Sequence, residues 1–142
     1  MRFLTKTALL ALVMTAQPGL AAPNEAPNAA STALAGEWRN TRNTVHLRIA
    51  PCGKAACGTV IWADETSQEN ARKGSGREVV GAQLFRNIRP SADGSWKGIA
   101  YLPDRNMNAS ATVKMVNRDQ LQVSGCVMFG LACRTQHWWR IK

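Results

Sequence analysis

Residues 109–126 read ASATVKMVNRDQLQVSGC. Ala111, Val113 and Met115 alternate with Thr112 and Lys114. After the polar turn Asn117-Arg118-Asp119 the alternation resumes, with Leu121 and Val123 opposite Gln122 and Ser124. A side-chain period of two marks a strand with one buried face and one wet face. Two such strands joined by a tight turn pair as antiparallel neighbours. This hairpin sets the pattern for the chain around it.

Upstream, 44–49 reads TVHLRI, with Val45, Leu47 and Ile49 on one face and Thr44, His46 and Arg48 on the other. Further strands are expected at 36–39, 58–62, 79–85, 95–102 and 134–141, with turns at Asp93-Gly94 and Pro103-Asp104-Arg105-Asn106. Eight short strands with mostly tight connections predict an all-β domain. The expected architecture is an eight-stranded antiparallel up-and-down β-barrel, because closure removes exposed sheet edges. A β-sandwich is the alternative. No segment after residue 36 carries a convincing helical period. The one long connection, 63–76, reads ADETSQENARKGSG and is polar and flexible in composition. Long loops in compact domains are often functional, so this one is a candidate lid, with Arg72, Lys73 and Arg77 in or beside it.

The chain opens with a basic n-region (Arg2, Lys6), a ten-residue apolar run and the small residues of Gly19-Leu20-Ala21. That is the layout of a secretory signal peptide, 1–21, too short in its apolar part to span a bilayer. Residues 22–35, APNEAPNAASTALA, have no apolar periodicity and read as a flexible leader. The folded domain is then 36–142, one unit with one modest core. The whole chain has a formal charge of +9, and losing the two cations of the signal leaves +7. The cations are spread along the chain rather than clustered, so nucleic acid is not an expected partner. An acidic envelope component is an expected partner of such a surface. No segment reads as a membrane span.

Cys52 and Cys57 bracket the link between the second and third strands, and Cys126 and Cys133 bracket the link between the seventh and eighth. In an exported protein these read as two disulfides, each stapling a hairpin end. C-x-x-C redox spacing is absent and the gaps are wide for a zinc site, so neither metal nor cofactor is expected. No nucleophile elbow, phosphate loop or H-E-x-x-H occurs. The two histidines, His46 and His137, have no sequence-adjacent metal partner. An enzyme is therefore not expected, and the catalytic set is empty.

Ordered motifs then carry a resemblance. They are Gly36-Glu37-Trp38, Cys57-Gly58-Thr59-Val60-Ile61-Trp62, Arg77 with Gly81, Tyr101-Leu102-Pro103, Leu121-Gln122-Val123-Ser124-Gly125 and Gln136-His137-Trp138-Trp139-Arg140. Their order and spacing resemble the bacterial exported domain of unknown function 2147 family. G-x-W is similar to the first strand of lipocalins and other calycins. The resemblance implies a lipocalin-like barrel in which Trp38 packs beneath Arg140 at the closed end. Gln136, Trp138 and Arg140 share one face by alternation, taken as inward. Relatives often carry an aromatic after the Tyr-x-Pro turn. Ala109 stands near its place, so the resemblance implies an interior different from theirs.

The function expected from this plan is a periplasmic or secreted binding module for a small apolar or amphipathic ligand. Candidate ligand contacts are Trp62, Tyr101, Met115, Trp138 and Arg77. Met107, Met115, Met128 and Phe129 are candidates for an adaptable apolar mouth. The alternative is an envelope interaction or stress protein that uses its basic exterior and holds no internal ligand. N-terminal sequencing of the exported protein should read Ala22-Pro23-Asn24. A mature pool that retains Met1 would refute the cleavage.

Overall fold

The computed structural model describes residues 29–142. The expected signal sequence 1–21 and the first half of the 22–35 leader lie outside the described residues. Eight strands form a closed barrel: β1 (Gly36–Asn40), β2 (Val45–Cys52), β3 (Ala55–Ala63), β4 (Gln83–Pro90), β5 (Trp96–Leu102), β6 (Met107–Asn117), β7 (Gln120–Val127) and β8 (Ala132–Arg140). Each pairs antiparallel with its neighbour in sequence, and β8 returns to β1. The hairpin 109–126 falls on β6 and β7, with Val113 opposite Val123 and Met115 opposite Leu121. Cys52–Cys57 and Cys126–Cys133 are both formed, across the ends of the β2–β3 and β7–β8 hairpins.

The closing seam is short, with three residue pairs, as few as at β3–β4. Only Trp38, Arg39 and Asn40 of β1 pair with Arg140, Trp139 and Trp138 of β8. Beyond the strand ends, the Glu37 amide donates to Lys142 O (2.9 Å) and the Ile141 amide to Glu37 O (2.7 Å). Side chains supply the rest. The Arg140 guanidinium lies 4.1 Å from the centre of the Trp38 ring. Its Nη1 donates to Ala35 O at 2.8 Å and its Nε to Arg118 O at 2.7 Å. One planar cation thus stacks on an indole and joins the residue preceding β1 to the β6–β7 turn. Gly36, at φ 139°, makes this possible, because a Cβ there would collide with the Arg140 guanidinium and with Lys142 O.

Around this seam the closed end is packed solid. Trp38, Leu47 and Leu121 have no exposed surface, and Ile49, Ile88 and Val113 complete the cluster. Trp96 and Met115 pack against it from the side. The end of the leader joins this core. Residues Ala29–Ala33 form a short helix, α1, the following Leu34 is fully buried, and its carbonyl accepts the Trp38 Nε1 hydrogen at 3.0 Å. The expectation of a leader flexible throughout 22–35 is therefore corrected at its end. Burying one leucine at the barrel's base orders residues that have no periodicity of their own.

Two other expectations change. The long connection is not a loop: Glu65–Ser75 is an α-helix, α2. Asp64 caps it by accepting from the Ser67 amide, and Gly76 ends it in the left-handed conformation at φ 69°. The fourth strand is displaced. It starts at Gln83 rather than 79 and continues to Pro90. Val79 instead turns beneath α2 and packs with Val60, Ala63 and Ala71 in a second small cluster. Asn87, at φ 53°, and a register shift between Arg86 and Arg89 switch the facing of β4, so that Phe85 and Ile88 both point into the core.

Arg140→Ala should destabilise by ~2 kcal/mol or more, since it strips the cation stacked on a buried tryptophan and the donor to two backbone carbonyls. Arg140→Lys should recover little, because an ammonium cannot reproduce the planar fork. Gly36→Ala should destabilise through the collision described. Urea denaturation midpoints check all three. A midpoint equal to wild type in Arg140→Ala would show that the closing contact is dispensable.

Candidate functional site

The strand directions put four connections at the end opposite the packed base: 41–44, 64–82, 103–106 and 128–131. A cavity of about 530 Å³ opens there, within the barrel. That volume falls in the range of small-molecule sites. Its floor is the pair Phe85 and Trp138, whose rings meet edge to face with centres 5.8 Å apart. Below them the interior is filled. Above them the inward positions of β5, β6 and β7 carry Ala100, Ala109 and Gly125. Ala100 and Ala109 are direct cross-strand partners, and a Cβ on Gly125 would only just touch Ala109. Three small residues on adjacent strands thin one wall, and that creates the space.

On β8, alternation brings Trp138, Gln136 and Arg134 to the cavity. This face runs from apolar at depth to cationic at the mouth. Trp138 is 4% exposed, and its Nε1 hydrogen has no acceptor among the described residues. Buried donors normally find one, so the cavity offers a donor aimed at nothing in the protein. Arg42 and Arg105 also line the mouth, against one carboxylate, Asp104. Asp104 lies 3.8 Å from Arg105. Neither Arg42 nor Arg134 has an ion-pair partner among the described residues.

Helix α2 covers part of the mouth through Ser67, Asn70 and Ala71. It sits close because Gly74 rests against the Asp104 backbone, where a Cβ would clash. Gln68 Nε2 donates to Ala63 O at 2.8 Å, fixing the helix to the end of β3. The helix cations are spent locally, Arg72 on Glu78 just after the helix (2.8 Å) and Lys73 on Glu69 within it (2.7 Å). Those contacts hold Glu78 and Glu69 below the usual carboxylate range. The Ser67 hydrogen bonds do the same for the capping Asp64. A lowered folded pKa stabilises above the ordinary carboxylate value and is lost as pH falls through the lowered one, so acid loosens the start of α2.

The residues expected at the site divide. Trp138 is on the floor, and Tyr101 reaches the rim. Trp62 does not contribute. It is 43% exposed on the outer face, its ring tilted against that of His46 with centres 4.6 Å apart, because the β2–β3 bulge next to His46 keeps both rings outside. Met115 faces inward but lies near the β6–β7 turn, below the floor, where it fills the base. Arg77 belongs to a second hollow of about 610 Å³ outside the barrel, which also takes in Arg86, Asn108 and the other side of Tyr101. There Arg86 donates to Asn108 and stands 5.6 Å over the Tyr101 ring. The sequence reading missed Arg134, Arg42 and Phe85. The signal for Arg134 was present, since it shares the alternation that placed Gln136 and Trp138 inward.

No curated protein matches the chain in sequence. In fold it is similar to a solved structure of a protein from Helicobacter pylori described as belonging to the lipocalin family. The TM-score is 0.62 at 14% identity, covering 77% of this chain and 83% of that one. That likeness shows the architecture, a lipocalin-like barrel. Residues 36–140, from the glycine beneath Arg140 to Arg140 itself, match the family described as "Uncharacterized protein conserved in bacteria (DUF2147)", and the chain belongs to that family.

Proposed function

We propose that the protein is a binding module for one small amphipathic molecule with an anionic or acceptor-rich head. The observation that carries this reading is the inward face of β8. Trp138, Gln136 and Arg134 grade from apolar to cationic along the cavity wall, and the Trp138 Nε1 hydrogen lacks a protein acceptor. An apolar tail would lie between Phe85, Trp138 and the small-residue wall. The head would meet Arg134 and Arg42 at the mouth. Apolar burial supplies affinity and a few placed polar groups supply orientation, the usual division of labour in such sites.

Binding rather than catalysis is the reading because both histidines belong to outward positions. His46 packs against Trp62 outside the barrel, and His137 alternates away from Trp138. Among the described residues no helix is long and apolar enough to cross a membrane. Two disulfides support export into an oxidising compartment, the periplasm or beyond.

Ala109→Trp should fill the space beside Gly125 and weaken a fluorescent fatty-acid probe about tenfold or more, with the fold retained, since the added ring enters an open cavity. Arg134→Gln should cost an anionic probe ~1 kcal/mol, about fivefold, and leave a neutral apolar probe unchanged. Titration at low and high ionic strength checks both. Affinity of the neutral probe should survive high salt. No saturable binding at either salt, or equal affinity in Ala109→Trp, would defeat the carrier reading.

A further inference from the structure

We propose that the tip of the β7–β8 hairpin is a membrane-docking finger, which seats the open mouth of the barrel on an anionic bilayer surface. The tip consists of Met128, Phe129, Gly130 and Leu131. Met128 is 67% exposed, Leu131 84%, and Phe129 is exposed completely. On the adjoining strand Met107 is also exposed, at the lip of the cavity. A soluble domain rarely gathers large apolar side chains at one projecting point unless something covers them.

The backbone adds a second observation. Met128 and Phe129 both hold positive φ, 54° and 57°, in a turn closed by the Gly130 amide donating to Val127 O. Asn-Gly is the pair that suits consecutive positive φ, and unbranched or aromatic side chains are disfavoured there. Strained backbone that presents apolar side chains to solvent points to a role for those side chains. The Cys126–Cys133 disulfide spans the neck directly, so the hairpin cannot fold its tip back into the mouth.

Charge selects the occupant. After Asp104 the only carboxylate side chain in the sequence is Asp119, and it lies at the closed end beside Arg140. The rim made by the β7–β8 hairpin and the neighbouring β1–β2 turn carries Arg134 and Arg42 with no acidic residue. The carboxylates of the open end gather on the α2 side, at Asp64, Glu65, Glu69, Glu78 and Asp104. An apolar point set in a cationic rim matches an anionic lipid surface, with rings at headgroup depth and arginines among the phosphates. A second copy of the chain would set two cationic rims against each other, which opposes self-association through this face. The docking surface does not depend on what the cavity holds.

The test uses the full mature chain and vesicles of phosphatidylglycerol with phosphatidylcholine, against phosphatidylcholine alone. Met128→Asn with Phe129→Gly removes the apolar tip and gives the turn the residues its backbone prefers, so folding is preserved or improved. Wild type should co-sediment with the anionic vesicles and only weakly with the zwitterionic ones. The double variant should lose about tenfold or more of that binding, while binding a soluble apolar probe in the cavity as wild type does. A Phe129→Trp protein should be quenched by brominated lipid. Vesicle binding that is equal in the double variant, or the absence of quenching, overturns the proposal. So does sedimentation velocity showing a dimer that the double variant abolishes, with no vesicle binding by wild type.

Discussion

Closure of the barrel rests on the stacking of Arg140 over Trp38. The seam between β1 and β8 has three residue pairs, against seven or eight at β5–β6, β6–β7 and β7–β8. Ladder hydrogen bonds alone would hold it weakly. The guanidinium compensates by joining Trp38 and Ala35, on one side of the seam, to Arg118 on the other. Because it covers a buried indole and satisfies two carbonyls, losing the arginine costs more than one contact. The requirement also explains the neighbouring sequence. Gly36 has no side chain because the guanidinium and the chain end occupy that space, and Leu34 is apolar because it lies beneath the same indole.

With the base closed, side-chain size decides what the rest of the interior becomes. An eight-stranded barrel is wide enough either to fill with its own side chains or to hold one small ligand. This chain does both, at different heights. Trp38, Leu47, Val113 and Leu121 fill the lower half. Ala100, Ala109 and Gly125 leave the upper half open, and the Phe85–Trp138 pair divides the two. Strand length permits the division. The eleven residues of β6 span roughly 35 Å, enough for a base and a cavity.

Departures from the sequence reading have local physical causes. Helix α2 was invisible to a search for apolar period because it buries one residue, Ala71, and faces solvent or the cavity mouth elsewhere. Its other signals were legible: Asp64 as cap, Glu65 in the first turn, Arg72 and Lys73 in the last, and Gly76 after the end. β4 was misplaced because Val79, Leu84 and Phe85 alternate imperfectly across a turn at Gly81 (φ 89°), and the bulge at Asn87 breaks the period inside the strand. Trp62 and Met115 were chosen for their residue types. Which face a residue takes, and at what height, depends on bulges and register that composition does not carry.

The sequence by itself determined seven of the eight strands in place, the strand order, the antiparallel meander and the two disulfides. All of these follow from neighbours within one hairpin, where period-two alternation and turn chemistry act over a few residues. The tertiary structure alone decided the height of each inward residue along the barrel axis. It thereby decided that Met115 fills the base, that Ala109 opens the wall, and that Arg134 stands at the mouth above Trp138. Height is set by the stagger accumulated around eight strands and closed at one seam, so no local stretch contains it.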